Sequence, residues 1–317
     1  MEKLETLKNE PLISIIIPVL NLQDLVGPCL DSVLNQSYRN LEVIVIDNGS
    51  TDNTKEILSE YAKKDTRIVV LNCMERGVSK ARNLGLRNYK GEYLCFVDGD
   101  DIIEKDYVKD MFDYLSQNNC DMSICSFKKQ KKYTKFTRKT KVKQTLVDGA
   151  EAIKKMICSN QFTGIIACKL FKRELLDGIF FDEGIFLCED LLFCFNYMQK
   201  SKKIVYFDQK LYHYLIRSNG AVMGRFNSKK LTCLKSLEKI ISSTKNEEII
   251  ECAKAWMCMQ CVMLLYFCKR DKVKDEELNT KLHNLFEENK IYVKQSKYIR
   301  PLYKNNIDVI GLVIKYW

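Results

Sequence analysis

Three carboxylates fall within four residues in the run Phe96-Val97-Asp98-Gly99-Asp100-Asp101. Like charges this close repel unless a cation or solvent relieves them. Two such oxygens projecting into a cleft suit Mg2+ or Mn2+, ions that also take substrate phosphates as ligands. The plainer alternative is an acidic helix start, because Asp caps a helix and matches its dipole. Other candidate groups flank the cluster. Asp47 opens Asp47-Asn48-Gly49-Ser50-Thr51-Asp52, Arg82 lies in Gly77-Val78-Ser79-Lys80-Ala81-Arg82-Asn83, and Glu189-Asp190 precedes Leu191-Leu192-Phe193. The last pair also reads as two dipole-matched acids at a helix N-terminus. With only His213 and His283 in the chain, a histidine-rich metal site is not expected, and His213 reads as readily as a packed side chain.

These residues need elements to hold them. Residues 12–20 form a short β-branched run near Pro18, which predicts a buried strand, and residues 41–46 predict a second. Helical spacing covers 24–36, with Leu25, Cys29, Val33 and Leu34 on one face. The Ser/Thr/Asp group at 50–52 can cap a helix over 54–62. Further strands are expected at 67–71, 93–97 and 121–127, and helices at 78–86 and 103–115. Strands alternating with helices predict an α/β fold with a mainly parallel central sheet and flanking helices. Ligands of such sheets sit beyond the carboxyl ends of the strands, where Pro18, Asp47 and Asp98 fall. From about residue 227 the pattern changes to amphipathic helices, giving a C-terminal helical module.

Composition narrows the classes. The 317 residues are 46% hydrophobic and 29% charged, an ordinary globular balance rather than a disordered one. No uninterrupted apolar run approaches the roughly 18 residues that cross a bilayer. The first ten residues are polar and charged, so a cytoplasmic location is expected. Most of the fourteen cysteines sit in apolar strings and read as small core residues rather than a disulfide framework. The Cys258-x-x-Cys261 pair lacks a second pair at zinc spacing and reads as core. No two glycines are two residues apart, which removes the dinucleotide and kinase glycine loops, and no phosphate loop or nucleophile elbow occurs.

In order and at ordinary spacing, the runs at 44–52, 77–83, 96–101, 181–184 and 189–193 resemble the family 2 glycosyltransferases of the GT-A fold, over roughly residues 10–220. The resemblance extends to enzymes of bacterial surface-polysaccharide synthesis. It implies that Pro18, Val19 and Asp47 contact the base and ribose of a nucleotide and that Arg82 lines the nucleotide side of the cleft. Asp98 would hold the ribose, and Asp100 would bind the Mn2+ or Mg2+ that bridges the diphosphate. Asp190, in the Glu189–Asp190 pair, would be the general base of a single, inverting displacement. Lys169 and the stretch Tyr212 to Arg217 match less specific parts of the pattern, Arg217 or Ser218 would reach the diphosphate, and His213 would help the metal. Two departures stand out. Asn48 occupies a place where the family often has a second Asp, and Glu75-Arg76 replaces the usual Asn/Gly-type lead-in to Gly77.

The expected function is therefore transfer of a sugar from a nucleotide-sugar, first of all a UDP-sugar, to a hydroxyl of a glycan, lipid-linked or polyol-phosphate acceptor. The rivals are a sugar nucleotidyltransferase and a non-catalytic nucleotide-sugar-binding scaffold on the same fold. The expected division is a catalytic domain at 1–225 (donor half about 10–127, acceptor half about 144–225) and a helical module at 226–317. Residues 128–143 hold nine Lys or Arg and no acid, from 226 onward seventeen basic residues face eleven acidic ones, and the remainder carries a net −5. A locally basic segment on an acidic body favours a local anionic partner over nucleic acid. Lys128, Lys129, Lys131 and Lys132 would meet a phosphate-bearing acceptor or an anionic membrane surface from an exposed hairpin or mobile loop, or form a solvated face. That would make the protein peripheral on the inner face of the membrane. The apolar tail at 307–317 would lie in an interface, pack on the module or pair two copies as a homodimer.

Overall fold

The computed structural model describes residues 10–131, 133–134, 139–159, 162–216, 224–299 and 301–315. They form two compact units that interleave along the chain. The first comprises 1–148, 166–181 and 200–217; the second comprises 149–165, 182–199 and 218–317. Where the sequence pattern suggests one boundary at 225, two helical segments from the middle of the chain belong with the C-terminal helices instead.

The first unit holds a nine-stranded sheet. Its first half alternates strands and helices: β1 (Ile13–Val19), α1 (Val26–Leu34), β2 (Leu41–Asp47), α2 (Thr54–Lys64), β3 (Ile68–Asn72), α3 (Val78–Asn88) and β4 (Tyr93–Phe96). Strands β3, β2, β1 and β4 lie side by side in that order, all parallel. Every residue of β1 and β2 is buried, as β-branched-rich runs covered on both faces require, and the polar Ser14 and Glu42 bond to each other at 2.6 Å. Each buried Ile, Val or Leu side chain of these strands contributes about 1.5–3 kcal/mol by leaving water. Pro18 lacks a backbone N–H, and β4 pairs with β1 only as far as Ile16, so the central strand tolerates it.

The second half of the sheet departs from the mainly parallel expectation. Strands β5 (Ile102–Ile103), β6 (Met122–Gln130), β7 (Gln144–Val147), β8 (Lys169–Lys172) and β9 (Ile204–Leu215) follow, with helix α4 (Tyr107–Gln117) between β5 and β6. β8 runs antiparallel between β4 and β6, and β6 pairs parallel with β9. The twelve-residue β9 takes β5 and β7 antiparallel. The residues expected to begin a helix at 103 thus start as an edge strand, and α4 begins at Tyr107.

The second unit is helical: α5 (Gly149–Cys158), α6 (Glu189–Lys200, of which Lys200 falls in the first unit), α7 (Thr232–Ser242), α8 (Glu247–Arg270), α9 (Glu276–Gln295) and α10 (Pro301–Lys315). Asn246 and Asp275 cap α8 and α9 by accepting the N–H groups of Ile249 and Leu278. α8 contacts α5, α7, α9 and α10. It has a window of mean hydropathy 1.4, enough by length and composition to cross a membrane, yet more than half of that window is buried within the protein. Cys258 and Cys261 are fully buried on it, as core residues should be. In α10, Ile307 and Ile314 pack inward while Val309 and Val313 are exposed.

Candidate active site

The carboxyl ends of β1, β2 and β4 bring the N-terminal candidates together. Val19 pairs in register with Asp47 and Pro18 with Ile46. Asp47 is 1% exposed. Its Oδ1 accepts the N–H of Ser50 at 3.0 Å, and Lys55 Nζ lies 3.8 Å from Oδ2. The turn after Asp47 does more than start a helix. Ser50 Oγ accepts the N–H of Asn21 at 3.0 Å, Thr54 Oγ1 that of Leu22 at 2.8 Å, and Asp52 that of Gln23 at 3.2 Å. The loop leaving β1 is therefore tied to the loop leaving β2.

The acidic run follows β4. Gly99 is required there by close approach: a Cβ would stand 2.6 Å from Val19 Cγ1 and 3.1 Å from the Pro18 carbonyl. The glycine between the carboxylates thus presses their loop against the end of β1. Asp98 and Asp100 are half-buried, whereas Asp101 is 2% exposed. Burial first, and then the charges of Asp98 and Asp100, push the Asp101 carboxyl up to about 8.

Arg82 reaches the same place from α3. Its Nη2 donates to Asp98 Oδ1 at 3.0 Å, and its guanidinium lies 5.2 Å from the centre of the Phe181 ring. Next to it, Asn83 exchanges two hydrogen bonds with the backbone of Phe181, at 2.8 and 2.9 Å. The N-terminus of α3 is set by Asn48, whose Oδ1 accepts the N–H of Gly77 at 3.0 Å. Gly77 has φ +151°, which favours glycine there. Asn48 is thus a structural anchor; an amide carbonyl does this work without adding a charge beside Asp47.

His213 is fully buried. Gln130 Nε2 lies 2.7 Å from Nδ1 and Glu104 Oε1 lies 2.8 Å from Nε2. An amide donor on Nδ1 assigns the proton to Nε2, which donates to Glu104. Burial lowers the pKa of the ring, against the pull of Glu104. Both nitrogens are taken up inside the protein, so neither lone pair is presented to a metal, in contrast to the assisting role considered from the sequence. Lys128 and Lys129 are not in a loop: they lie near the end of β6 in register with His213 and Tyr214, and Lys129 Nζ lies 5.5 Å from the Tyr214 ring centre. β6 and β7 do not pair as a hairpin, because each pairs with β9. Lys131 follows β6; Lys132, Arg217 and Ser218 lie outside the described residues. Lys169 is fully buried in β8.

Glu189 and Asp190 form the first turn of α6, in the helical unit. Cys188 before them has φ +69°, a sharp turn in a region that non-glycine residues rarely enter. That turn is held by α7. Thr232 Oγ1 accepts the N–H groups of Phe186 at 3.0 Å and Leu187 at 3.2 Å, and Ser236 Oγ donates to the Cys188 carbonyl at 2.8 Å. The sequence marks Thr232 and Ser236 only as polar positions on an amphipathic helix.

Among the described residues there is no cluster of three or more His, Cys, Asp or Glu side chains built to hold a metal ion. Mg2+ and Mn2+ do not demand one where a phosphorylated ligand supplies oxygens, since one or two carboxylates suffice. The donor set at 98–100 fits that requirement.

Residues 14–180 match the family model of glycosyl transferase family 2. The chain belongs to that family. It is 32% identical over 219 residues to EpsJ, a glycosyltransferase of Bacillus subtilis (strain 168), a match covering 66% of this chain and 62% of EpsJ. It is 30% identical over 319 residues to the poly(ribitol-phosphate) beta-glucosyltransferase of Bacillus spizizenii (strain ATCC 23059 / NRRL B-14472 / W23), covering 95% of this chain and 49% of that one. The family 2 chain thus spans between about half and two thirds of these relatives' lengths. Its fold is similar to that of S. aureus TarS 1–349 in complex with UDP-GlcNAc, with a TM-score of 0.65 at 20% identity, over 95% of this chain and 88% of that one. The GT-A architecture with a helical block after it is therefore as expected.

Proposed function

We propose that the protein transfers a sugar from a nucleotide-sugar, with UDP as the first carrier to test, to a hydroxyl of a cell-surface glycan or polyol-phosphate acceptor. One observation carries this reading: Asp47, the Arg82–Asp98 pair and the loop seated by Gly99 meet at the carboxyl ends of three adjacent parallel strands, where α/β sheets bind nucleotides. The UDP-GlcNAc held by TarS and the polyol-phosphate acceptor in the name of the Bacillus spizizenii relative support the choice of donor and acceptor class.

In this reading Pro18, Val19 and Asp47 receive the nucleoside, and Arg82 holds Asp98 in place for the ribose. Asp100 would hold Mn2+ or Mg2+, which when bound would offset the negative charge collecting on the diphosphate. Asp190 accepts the proton of the acceptor hydroxyl, whose oxygen attacks the anomeric carbon as the bond to the diphosphate oxygen breaks. One such displacement inverts that carbon. A positioned general base is worth about 10²–10⁴-fold. Lys128, Lys129, Lys131 and Lys132 supply positive charge to a phosphate-bearing acceptor or an anionic membrane.

The test is nucleotide release from a panel of UDP-, GDP- and dTDP-sugars, with Mn2+ and with chelator, alongside donor binding. Release should be metal-dependent and lost in Asp100→Ala. Asp190→Asn should bind the donor and fail to transfer it; full transfer by that variant rejects Asp190 as the base. A wild type that binds none of the donors rejects the reading as a whole.

A further inference from the structure

Of the three loop carboxylates, Asp101 is the one turned into the protein. Its Oδ1 accepts the N–H of Leu215 at 2.8 Å and its Oδ2 the hydroxyl of Tyr212 at 2.7 Å. The Tyr212 oxygen in turn accepts the N–H of Asp98 at 3.1 Å. The N–H of Asp101 closes the loop on the Asp98 carbonyl at 2.9 Å. Directly after it, Ile102 and Ile103 pair with His213 and Tyr212, and Glu104 donates its N–H to the Leu211 carbonyl at 2.9 Å. Links from the acidic loop thus converge on four residues within the stretch 211–215 of β9, more than a hundred positions later in the chain.

Stability alone does not call for this arrangement. A carboxyl group taken out of water is costly even when hydrogen-bonded, and an apolar side chain of similar volume often serves a core as well or better. Its geometry does something an apolar contact cannot. Hydrogen bonds fix direction, and these fix the backbone of Asp98 and the end of β9 to one buried group. The Tyr212 hydroxyl is the middle of the chain of bonds, linked to Asp98 on one side and Asp101 on the other.

We propose that Asp101 and Tyr212 are positioning residues: touching no part of the donor, they lock the loop bearing Asp98 and Asp100 to the end of β9 and so set donor affinity. The proposal rests on the glycosyltransferase reading. Tyr212→Phe removes the hydroxyl and keeps the ring, which packs against Tyr107 with ring centres 6.1 Å apart. Asp101→Asn keeps one acceptor oxygen for Leu215.

The experiment measures binding of UDP with Mn2+ to the full chain by calorimetry, with thermal unfolding of the same samples and donor KM and kcat where transfer is detectable. Tyr212→Phe should raise the UDP Kd about tenfold, which corresponds to 1.4 kcal/mol, and raise the Mn2+ concentration needed for half-maximal binding. Donor KM should rise by more than kcat falls, and Asp101→Asn should lie between the variant and the wild type. Should Tyr212→Phe not fold, Asp101→Asn alone carries the readout, with a Kd raised above the wild type's. A lowered melting temperature with unchanged Kd and KM would mean a purely structural role and overturns the proposal. Binding by neither wild type nor variants overturns the glycosyltransferase reading and this proposal with it; equal binding by both overturns only this one.

Discussion

Gly99→Ala is the sharpest probe of how the acidic loop is seated. Carbon atoms rest at about 3.5–4.0 Å, but the new methyl would meet Val19 Cγ1 at 2.6 Å and Leu22 Cδ1 at 3.0 Å. Relief therefore requires the loop or the end of β1 to move by about 1 Å. Overpacking of this kind costs about 1–3 kcal/mol of stability. The catalytic cost is of the same order, because a misplacement of about 1 Å reduces rate by roughly 10²-fold, about 2.7 kcal/mol. The obstacle on the Leu22 side is the end of a flexible side chain, whereas on the Pro18 side it is backbone, so removing the Val19 γ-carbons gives partial relief. Val19→Ala, Gly99→Ala and the double variant form a cycle whose coupling should be about 0.5–3 kcal/mol in favour of the double variant. The assay is kcat/KM for nucleotide release, with thermal unfolding as the control. Wild-type kcat/KM in Gly99→Ala, or a double variant no better than the two single losses combined, would refute the close-seating argument.

Other perturbations separate the parts of the site. Arg82→Met leaves Asp98 without its partner; the arginine side chain is 5% exposed and that of Asp98 31%. After discounting for that exposure, nucleotide affinity should fall by about 1–3 kcal/mol, as calorimetry would show. Thr232→Val removes the acceptor for two partly solvated backbone N–H groups ahead of Glu189, so stability should fall by about 0.5–1.5 kcal/mol. Its kcat should fall with donor Kd unchanged, and an unchanged kcat would detach the Cys188 turn from catalysis. His213 is held neutral, with its pKa lowered by burial and by Lys128 against Glu104. The unfolded chain takes up this proton near pH 6.5, so the His213 contribution to stability declines as pH falls from 7 toward the lowered native value. Asp101, raised to about 8, acts oppositely in the same range, so the histidine's part is read as the difference in melting temperature between wild type and His213→Gln, which should shrink on acidification; parallel curves would refute it. Replacing Lys128, Lys129, Lys131 and Lys132 with Gln should weaken binding to vesicles rich in phosphatidylglycerol, by about 1 kcal/mol per charge if all four approach the surface, and unchanged sedimentation would remove the membrane from the list of partners.

Much of the donor half was legible because its signals are local. Apolar, β-branched-rich runs became β1 and β2 within a residue of their expected ends, and the strand–turn–helix alternation by itself placed Asp47 and Asp98 at carboxyl ends. Periodicity likewise set the helices of the C-terminal block, since an amphipathic face is written within one segment. Chain order also placed Glu189 and Asp190 at a helix start.

What the tertiary structure decided is non-local. Strand direction is not encoded in a strand's own composition, so the antiparallel β8 and the shared partner β9 had no signature at 169–172 or 204–215. The run 204–215, apolar at 204–207, polar at 208–210 and mixed after that, fits many pairings, and the choice came from what lay alongside. The same holds for side-chain roles. Asp101 looked like one more acid of a cluster, and only the arrival of Tyr212 and Leu215 makes it a buried tie. His213 reads from the sequence equally as a packed side chain or an assisting ligand, and only the structure brings Gln130 and Glu104 to its two nitrogens. Sequence fixes which residues can bond; which of them meet is decided by contacts between segments far apart in the chain, because those contacts depend on packing that no single segment contains.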